Sequence, residues 1–192
     1  MMTALRLVVS LGEMVVLAGA VPAQDIEAGR TVANMCRTCH GLDGYAQIPI
    51  APHIGGEPAS YLAGQLRAFR SGEREHEMMS IVAAGLSDAQ IENVAAWYAQ
   101  HTATAVPPQG VDAEAAPDSC PACHGADGIA VVEDAPNLAG EDTIYLETQL
   151  KAFRSGKRQH EVMSAIAAEL DDAEIRAVSE WYAAIGIEID GP

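Results

Sequence analysis

Residues 36–41 read Cys36-Arg-Thr-Cys39-His40-Gly41, and residues 120–125 read Cys120-Pro-Ala-Cys123-His124-Gly125. The two stretches are 84 residues apart, and the offset persists outward from them. Tyr61-Leu-Ala-Gly-Gln-Leu-Arg-Ala-Phe-Arg-Ser-Gly72 returns as Tyr145-Leu-Glu-Thr-Gln-Leu-Lys-Ala-Phe-Arg-Ser-Gly156, and Trp97-Tyr98 returns as Trp181-Tyr182. A constant offset from the cysteines to the tryptophans marks a tandem duplication without net insertion, so the two copies share one fold. Within each copy helical segments alternate with loops. Glu57-Pro58 opens a helix that Gly72 closes. Ser87-Asp-Ala-Gln90 and Asp171-Asp-Ala-Glu174 are capping-box starts for the helices that carry Trp97 and Trp181. No alternating strand pattern stands out, and the expected class is all-α.

The repeat also divides the chain. Residues 1–23 precede it, residues 24–105 form the first unit, and residues 106–192 form the second with a linker at its start. There Pro107-Pro108 and Gly110 forbid a continuing helix and predict a semi-rigid connector. Residues 1–23 carry Arg6, an apolar run from Leu7 to Ala20 broken by Glu13, and the small-residue ending Val21-Pro22-Ala23. That is the pattern of a secretory signal cleaved before Gln24, with an uncleaved anchor as the alternative. The apolar run is shorter than the roughly 20 residues that span a bilayer. Export to the periplasm without tight membrane insertion is the expectation.

Composition narrows the function. The 192 residues are 49% hydrophobic but only 5% aromatic, so each unit has few bulky side chains with which to fill a core. Lys and Arg number 11 against 27 Asp and Glu, a net charge of -16, which excludes electrostatic binding to nucleic acid. The charge is uneven: residues 24–105 carry a net -4 and residues 106–192 a net -12. Solubility is one use of such a surface, and steering the second unit onto a basic redox partner is another.

Four cysteines in an exported protein admit disulfides, redox dithiols, a zinc site or haem attachment. The histidine directly after the second cysteine, present in both copies, decides for haem. Two thiols add to the two vinyl groups while the adjacent His reaches the iron. The expectation is two covalently bound haem c groups on Cys36 and Cys39 and on Cys120 and Cys123, with His40 and His124 as iron ligands. A covalent macrocycle also supplies apolar core to a unit of about 80 residues. For the sixth iron position Met79 matches Met163 at the offset, whereas Met78 matches Val162. Met79 and Met163 are the candidates, and Met78 is the alternative in the first copy. His76 and His160 also match; they read as solvated side chains of a charged turn, with axial ligation or a pH-responsive place at the haem edge as the alternative. His53 and His101 have no histidine counterpart and read as incidental.

With these residues in place, the chain resembles class I c-type cytochromes, and its duplication resembles the dihaem cytochrome c4 family. The resemblance spans residues 25–185 and implies two tandem class I cytochrome c-like haem domains. In each, the first and last helices cross beside the haem. It also implies that the carbonyls of Pro52 and Pro136 accept the Nδ1 protons of His40 and His124 and orient them. Gly29, Val32 and Ala33 are small enough for Trp97 or Tyr98 to pack against. Their counterparts are Ala113, Ala116 and Pro117, and Pro117 is expected to shorten the first helix of the second unit, leaving that unit first to lose its fold.

The leading functional expectation is a periplasmic electron carrier of a bacterial respiratory chain. The resemblance implies a bc1-type donor and a terminal oxidase as acceptor, with a basic docking surface on the partner. A cytochrome subunit of a dehydrogenase, of sulfide or alcohol type, is the alternative. A dihaem peroxidase or thiosulfate-oxidising enzyme would need an open iron site, against which the matched Met79 and Met163 argue.

Overall fold

A computed structural model describes residues 24–108, 117 and 119–192. The expected export segment and most of the expected linker lie outside the described residues.

In lobe one, Asp25 caps α1 (Ile26–His40), its side chain accepting from the Ala28 N–H, and Gly29, Val32 and Ala33 form a small-residue face buried along the helix. Then come α2 (Ala59–Ser71), α3 (Met79–Ala84) and α4 (Asp88–Ala99). Gly72, with φ of 83°, ends α2, and the Ser87/Gln90 capping box starts α4 as the sequence predicts. α1 packs across α4. The crossing is close because Gly29 has no side chain: a Cβ there would stand 2.1 Å from Asn93 O. Trp97 Nε1–H donates to Leu42 O at 2.9 Å and the Tyr98 hydroxyl to Gly41 O at 3.2 Å. α4 thus grips the backbone just beyond His40.

Lobe two repeats the plan with α5 (Pro121–His124), α6 (Thr143–Arg154), α7 (Glu161–Glu169) and α8 (Asp172–Ala183), the last opened by the Asp171/Glu174 capping box. Its described first helix is one turn long and starts four residues after Pro117; Ala113 and Ala116 lie outside the described residues. The grip is also weaker. Tyr182 is fully buried, but among the described residues its hydroxyl finds no hydrogen-bond partner, and Trp181 is only partly buried. Among the described residues lobe one packs a larger buried apolar cluster, around Ile91, Val94 and Trp97, than lobe two packs around Leu146, Tyr182 and Ile185.

The helical class holds, with one addition. Thr102–Val106 is a strand, β1, that pairs antiparallel with β2 (Gly186–Asp190) at the far end of the chain. The start of the expected connector is therefore ordered, and the division at 105/106 falls inside β1. The ladder obeys the repeat: Thr104 pairs with Glu188, its own counterpart 84 residues on, so an approximate twofold axis passes through that pair. His101, read as incidental, is buried at the start of β1. Its ring packs edge-on against Trp97, and Nδ1 donates to Trp97 O at 3.0 Å.

Candidate functional site

The cysteine motifs lie at helix ends. In α1 the spacing of three and four residues places Cys36, Cys39 and His40 on one face. Gly41 and Gly125, with φ of 72° and 74°, then turn the chain sharply. A Cβ at either would collide with a loop carbonyl, at 2.4 Å from Tyr45 O and 2.1 Å from Ile129 O. The loops beyond are built alike. Gln47 N–H donates to Cys39 O at 2.8 Å and Val131 N–H to Cys123 O at 2.9 Å. Ala46 N–H donates to His53 Nδ1 at 3.0 Å, and Ala130 N–H to Asn137 Oδ1 at 2.9 Å. His53 is therefore buried structure, with Asn137 doing the same work in the other copy.

Each loop returns a proline carbonyl to its histidine: His40 Nδ1 lies 2.9 Å from Pro52 O, and His124 Nδ1 lies 2.8 Å from Pro136 O. A carbonyl only accepts, so Nδ1 carries the proton and the Nε2 lone pair is left free. Both imidazoles are buried, and desolvation, partly offset by the carbonyl bond, pushes their pKa values down. They are neutral at pH 7, as an iron ligand requires.

Both motifs open into one cavity of about 620 Å³ between the lobes, lined by Cys36, Cys39 and His40 and by Cys120, Cys123 and His124. None of the four cysteines is paired in a disulfide. Met79 and Met163 line the same cavity. Met79, the first residue of α3, is half-buried, whereas Met78 is 60% exposed. Among the described residues no group of three or more His, Cys, Asp or Glu side chains is placed to hold a metal ion unaided. One imidazole per motif beside two cysteines that are not paired with each other fits a metal whose remaining ligands arrive with a macrocycle. Arg74 and Arg158 also reach the cavity. Arg74 donates to Gln149 at 2.8 Å across the lobes, and Arg158 to Gln65 at 3.0 Å and to the Tyr61 hydroxyl at 3.3 Å. These two cations suit the carboxylates of an acidic cofactor.

His76 and His160 are more than solvated side chains. His76 Nδ1 accepts the Met78 and Met79 N–H groups at 3.3 and 3.4 Å, and His160 Nδ1 accepts the Met163 N–H at 3.3 Å. His160 is the N-cap of α7, which carries Met163, whereas His76 accepts from the turn that leads into α3, whose N-cap is Met78. His160 Nε2 also faces Asp134 at 3.2 Å.

The family model described as cytochrome c oxidase, cbb3-type, subunit III matches residues 23–97 and again residues 107–181, two spans at the offset of the motifs themselves. A cytochrome c4 of Pseudomonas aeruginosa is 31% identical over 92% of this chain and 96% of its own. The chain belongs to the dihaem cytochrome c4 family. A thiosulfate dehydrogenase electron acceptor of Thiomonas intermedia is 33% identical over 94% of this chain and 91% of its own. Among solved structures, a thiosulfate dehydrogenase from Marichromatium purpuratum matches with a TM-score of 0.72 at 33% identity, over 84% of this chain but 40% of that longer one. This cytochrome c4-like protein is a two-domain dihaem electron-transfer protein, with two haem c groups attached through Cys36 and Cys39 and through Cys120 and Cys123.

The sequence reading missed Glu57 and Glu141. Both are 3% exposed and lie where the lobes meet. Their signal was the offset, since each follows Gly at matched positions.

Proposed function

We propose that the protein is a periplasmic carrier that takes electrons from an oxidising dehydrogenase and delivers them to the terminal oxidase of a bacterial respiratory chain. Haem c supplies one-electron chemistry; the polypeptide holds two of these groups close, shields them and positions their ligands. In this reading His40 with Met79, and His124 with Met163, ligate the two irons, while Pro52 and Pro136 orient the histidines. The protein transforms no substrate itself. The single cavity joining both motifs carries the reading, because an electron arriving at one lobe then has a short path to the other. A thiosulfate-oxidising dehydrogenase is the donor class supported by the name of the Thiomonas relative. The net -12 of residues 106–192 supports a basic docking surface on a partner. Among the described residues no helix is long and apolar enough to cross a membrane.

The second reading, a cytochrome subunit held permanently by its dehydrogenase, is favoured by the same relative's name. Purified protein mixed anaerobically with thiosulfate and a thiosulfate dehydrogenase, or with a bc1-type complex and quinol, separates donors; transfer to oxidase-containing membranes then tests delivery. The carrier reading predicts rapid reduction by the dehydrogenase, reoxidation by the oxidase and a steep fall in both rates with salt. Failure to react with any oxidase, or reduction by thiosulfate alone, would overturn it.

A further inference from the structure

Both oxygens of the Glu57 carboxyl group lie within hydrogen-bond reach of the Asn137 N–H, at 2.9 and 3.2 Å. That N–H belongs to the peptide joining Pro136 to Asn137, and the carbonyl of the same peptide accepts His124 Nδ1–H at 2.8 Å. A chain of two hydrogen bonds and one amide thus runs from a lobe-one acid to the lobe-two histidine. The arrangement recurs in the opposite sense. This second path is looser: Glu141 is buried at the reciprocal place without a geometric hydrogen bond to the His53 N–H, and the peptide joining Pro52 to His53 presents the carbonyl that accepts His40 Nδ1–H at 2.9 Å. Cross-lobe bonds pin the same segments: His53 Nε2–H donates to Gly140 O at 3.0 Å, and Asn137 Nδ2–H reaches Gly56 O at 3.5 Å.

We propose that Glu57 and Glu141 are crossed positioning residues, each setting the hydrogen bond of the proximal histidine in the opposite lobe through a single peptide unit. The inference rests on His40 and His124 being the proximal ligands. Accepting a peptide's N–H pushes electron density onto its carbonyl oxygen, which then accepts more strongly from Nδ1–H. The imidazole gains imidazolate character, becomes a more basic ligand and favours ferric iron, so the potential falls. Each haem is thereby tuned by how the other lobe is seated. The two halves are unequal: both Glu57 oxygens engage Asn137, whereas Glu141 Oε2 is buried without a partner. The stronger control acts on lobe two. Burial pushes both carboxyls up, Glu57 to about 8, and Glu57 raises Glu141 further once it ionises. A neutral glutamine therefore reproduces the form present at neutral pH and is the conservative substitution.

The test uses the intact dihaem protein carrying Glu57→Leu, Glu57→Gln or Glu141→Leu. The two potentials are read by spectroelectrochemistry, and the haem-methyl resonances assign them to lobes. Glu57→Leu is expected to raise the reduced-to-oxidised ratio of the lobe-two haem at fixed ambient potential by about three- to tenfold, tenfold being about 59 mV for one electron. Lobe one moves less, Glu57→Gln restores the wild-type ratio, and Glu141→Leu moves lobe one by a smaller factor. Equal shifts at both haems, a larger shift in the lobe that carries the substitution, or a glutamine variant as displaced as leucine would overturn the proposal. If Glu57→Leu does not assemble, Glu57→Asp, which draws the carboxylate back by one methylene, is read by the same criteria. Histidine ligation is checked separately in the wild-type ferric spectrum. Its absence there sinks the ligand reading, whereas its presence without the crossed shifts sinks only this inference.

Discussion

Gly29→Ala sets two effects of opposite sign against each other. In a helix interior alanine is worth about 1 kcal/mol over glycine, so propensity alone predicts a more stable lobe one. The helix crossing predicts the reverse. The added Cβ would stand 2.1 Å from Asn93 O and 2.7 Å from its carbonyl carbon, where ordinary contact begins at 3.4 Å. α1 and α4 must part by the shortfall, about 1.3 Å along that contact. Overpacking of this kind costs about 1–3 kcal/mol. Parting also slackens the Trp97 bond to Leu42 and the Tyr98 bond to Gly41, at about 1 kcal/mol each if lost. With both bonds counted as lost and the propensity gain subtracted, lobe one is expected to lose about 2–4 kcal/mol. The assay is denaturant unfolding of the holoprotein with each lobe followed by its own haem resonances. In the wild type, lobe two, with the smaller buried cluster among the described residues, is expected to unfold first; in the variant the lobe-one midpoint is expected to fall towards it. Gly64→Ala is the control, since Thr148 stands at the matched place in lobe two and shows that a side chain is accommodated there. It is expected to stabilise by about 0.5–1 kcal/mol. A Gly29→Ala protein stabilised as much as the control would refute the close crossing.

Three further expectations follow from the sites. Met79→Ala should make one haem bind carbon monoxide when reduced, whereas Met78→Ala should leave the spectrum unchanged; the opposite pattern would transfer the ligand role to Met78. His160→Ala removes the cap on the helix carrying Met163 and should cost about 1 kcal/mol, seen as earlier loss of the methionine-to-iron charge-transfer band from one haem on warming. Glu57 titrates at about 8 when folded against an ordinary 4.5. The folded state therefore holds the proton more tightly, and this stabilisation is complete below pH 4.5 and lost as pH rises through about 8. The loss amounts to roughly 3–5 kcal/mol by linkage. Unfolding midpoints at pH 5 and pH 9 should differ by less in Glu57→Gln than in the wild type, and equal differences would refute a buried neutral acid.

The haem motifs, the repeat and the capping boxes were legible because each is local: a few residues at set spacing define a turn, a cap or an attachment site. The β1–β2 ribbon was not, because Thr102–Val106 beside Pro107-Pro108 reads as connector until its partner 84 residues away is known. The alternation of Ile187 and Ile189 with Glu188 and Asp190 was the available clue. His53 was misread because the repeat conserves its task in different chemistry: an imidazole nitrogen and an Asn137 amide oxygen accept equivalent N–H groups. Glu57 and Glu141 were hidden for another reason. An acid at a helix start ordinarily faces solvent, whereas these two are buried where the lobes meet.

The most direct test of the account is the optical spectrum of the exported protein, oxidised and reduced, with haem counted per chain and carbon monoxide added to the reduced form. The account predicts two haems per chain, both low-spin and indifferent to carbon monoxide, with a methionine-to-iron charge-transfer band when oxidised. A single haem, or a high-spin haem that binds carbon monoxide, would contradict it.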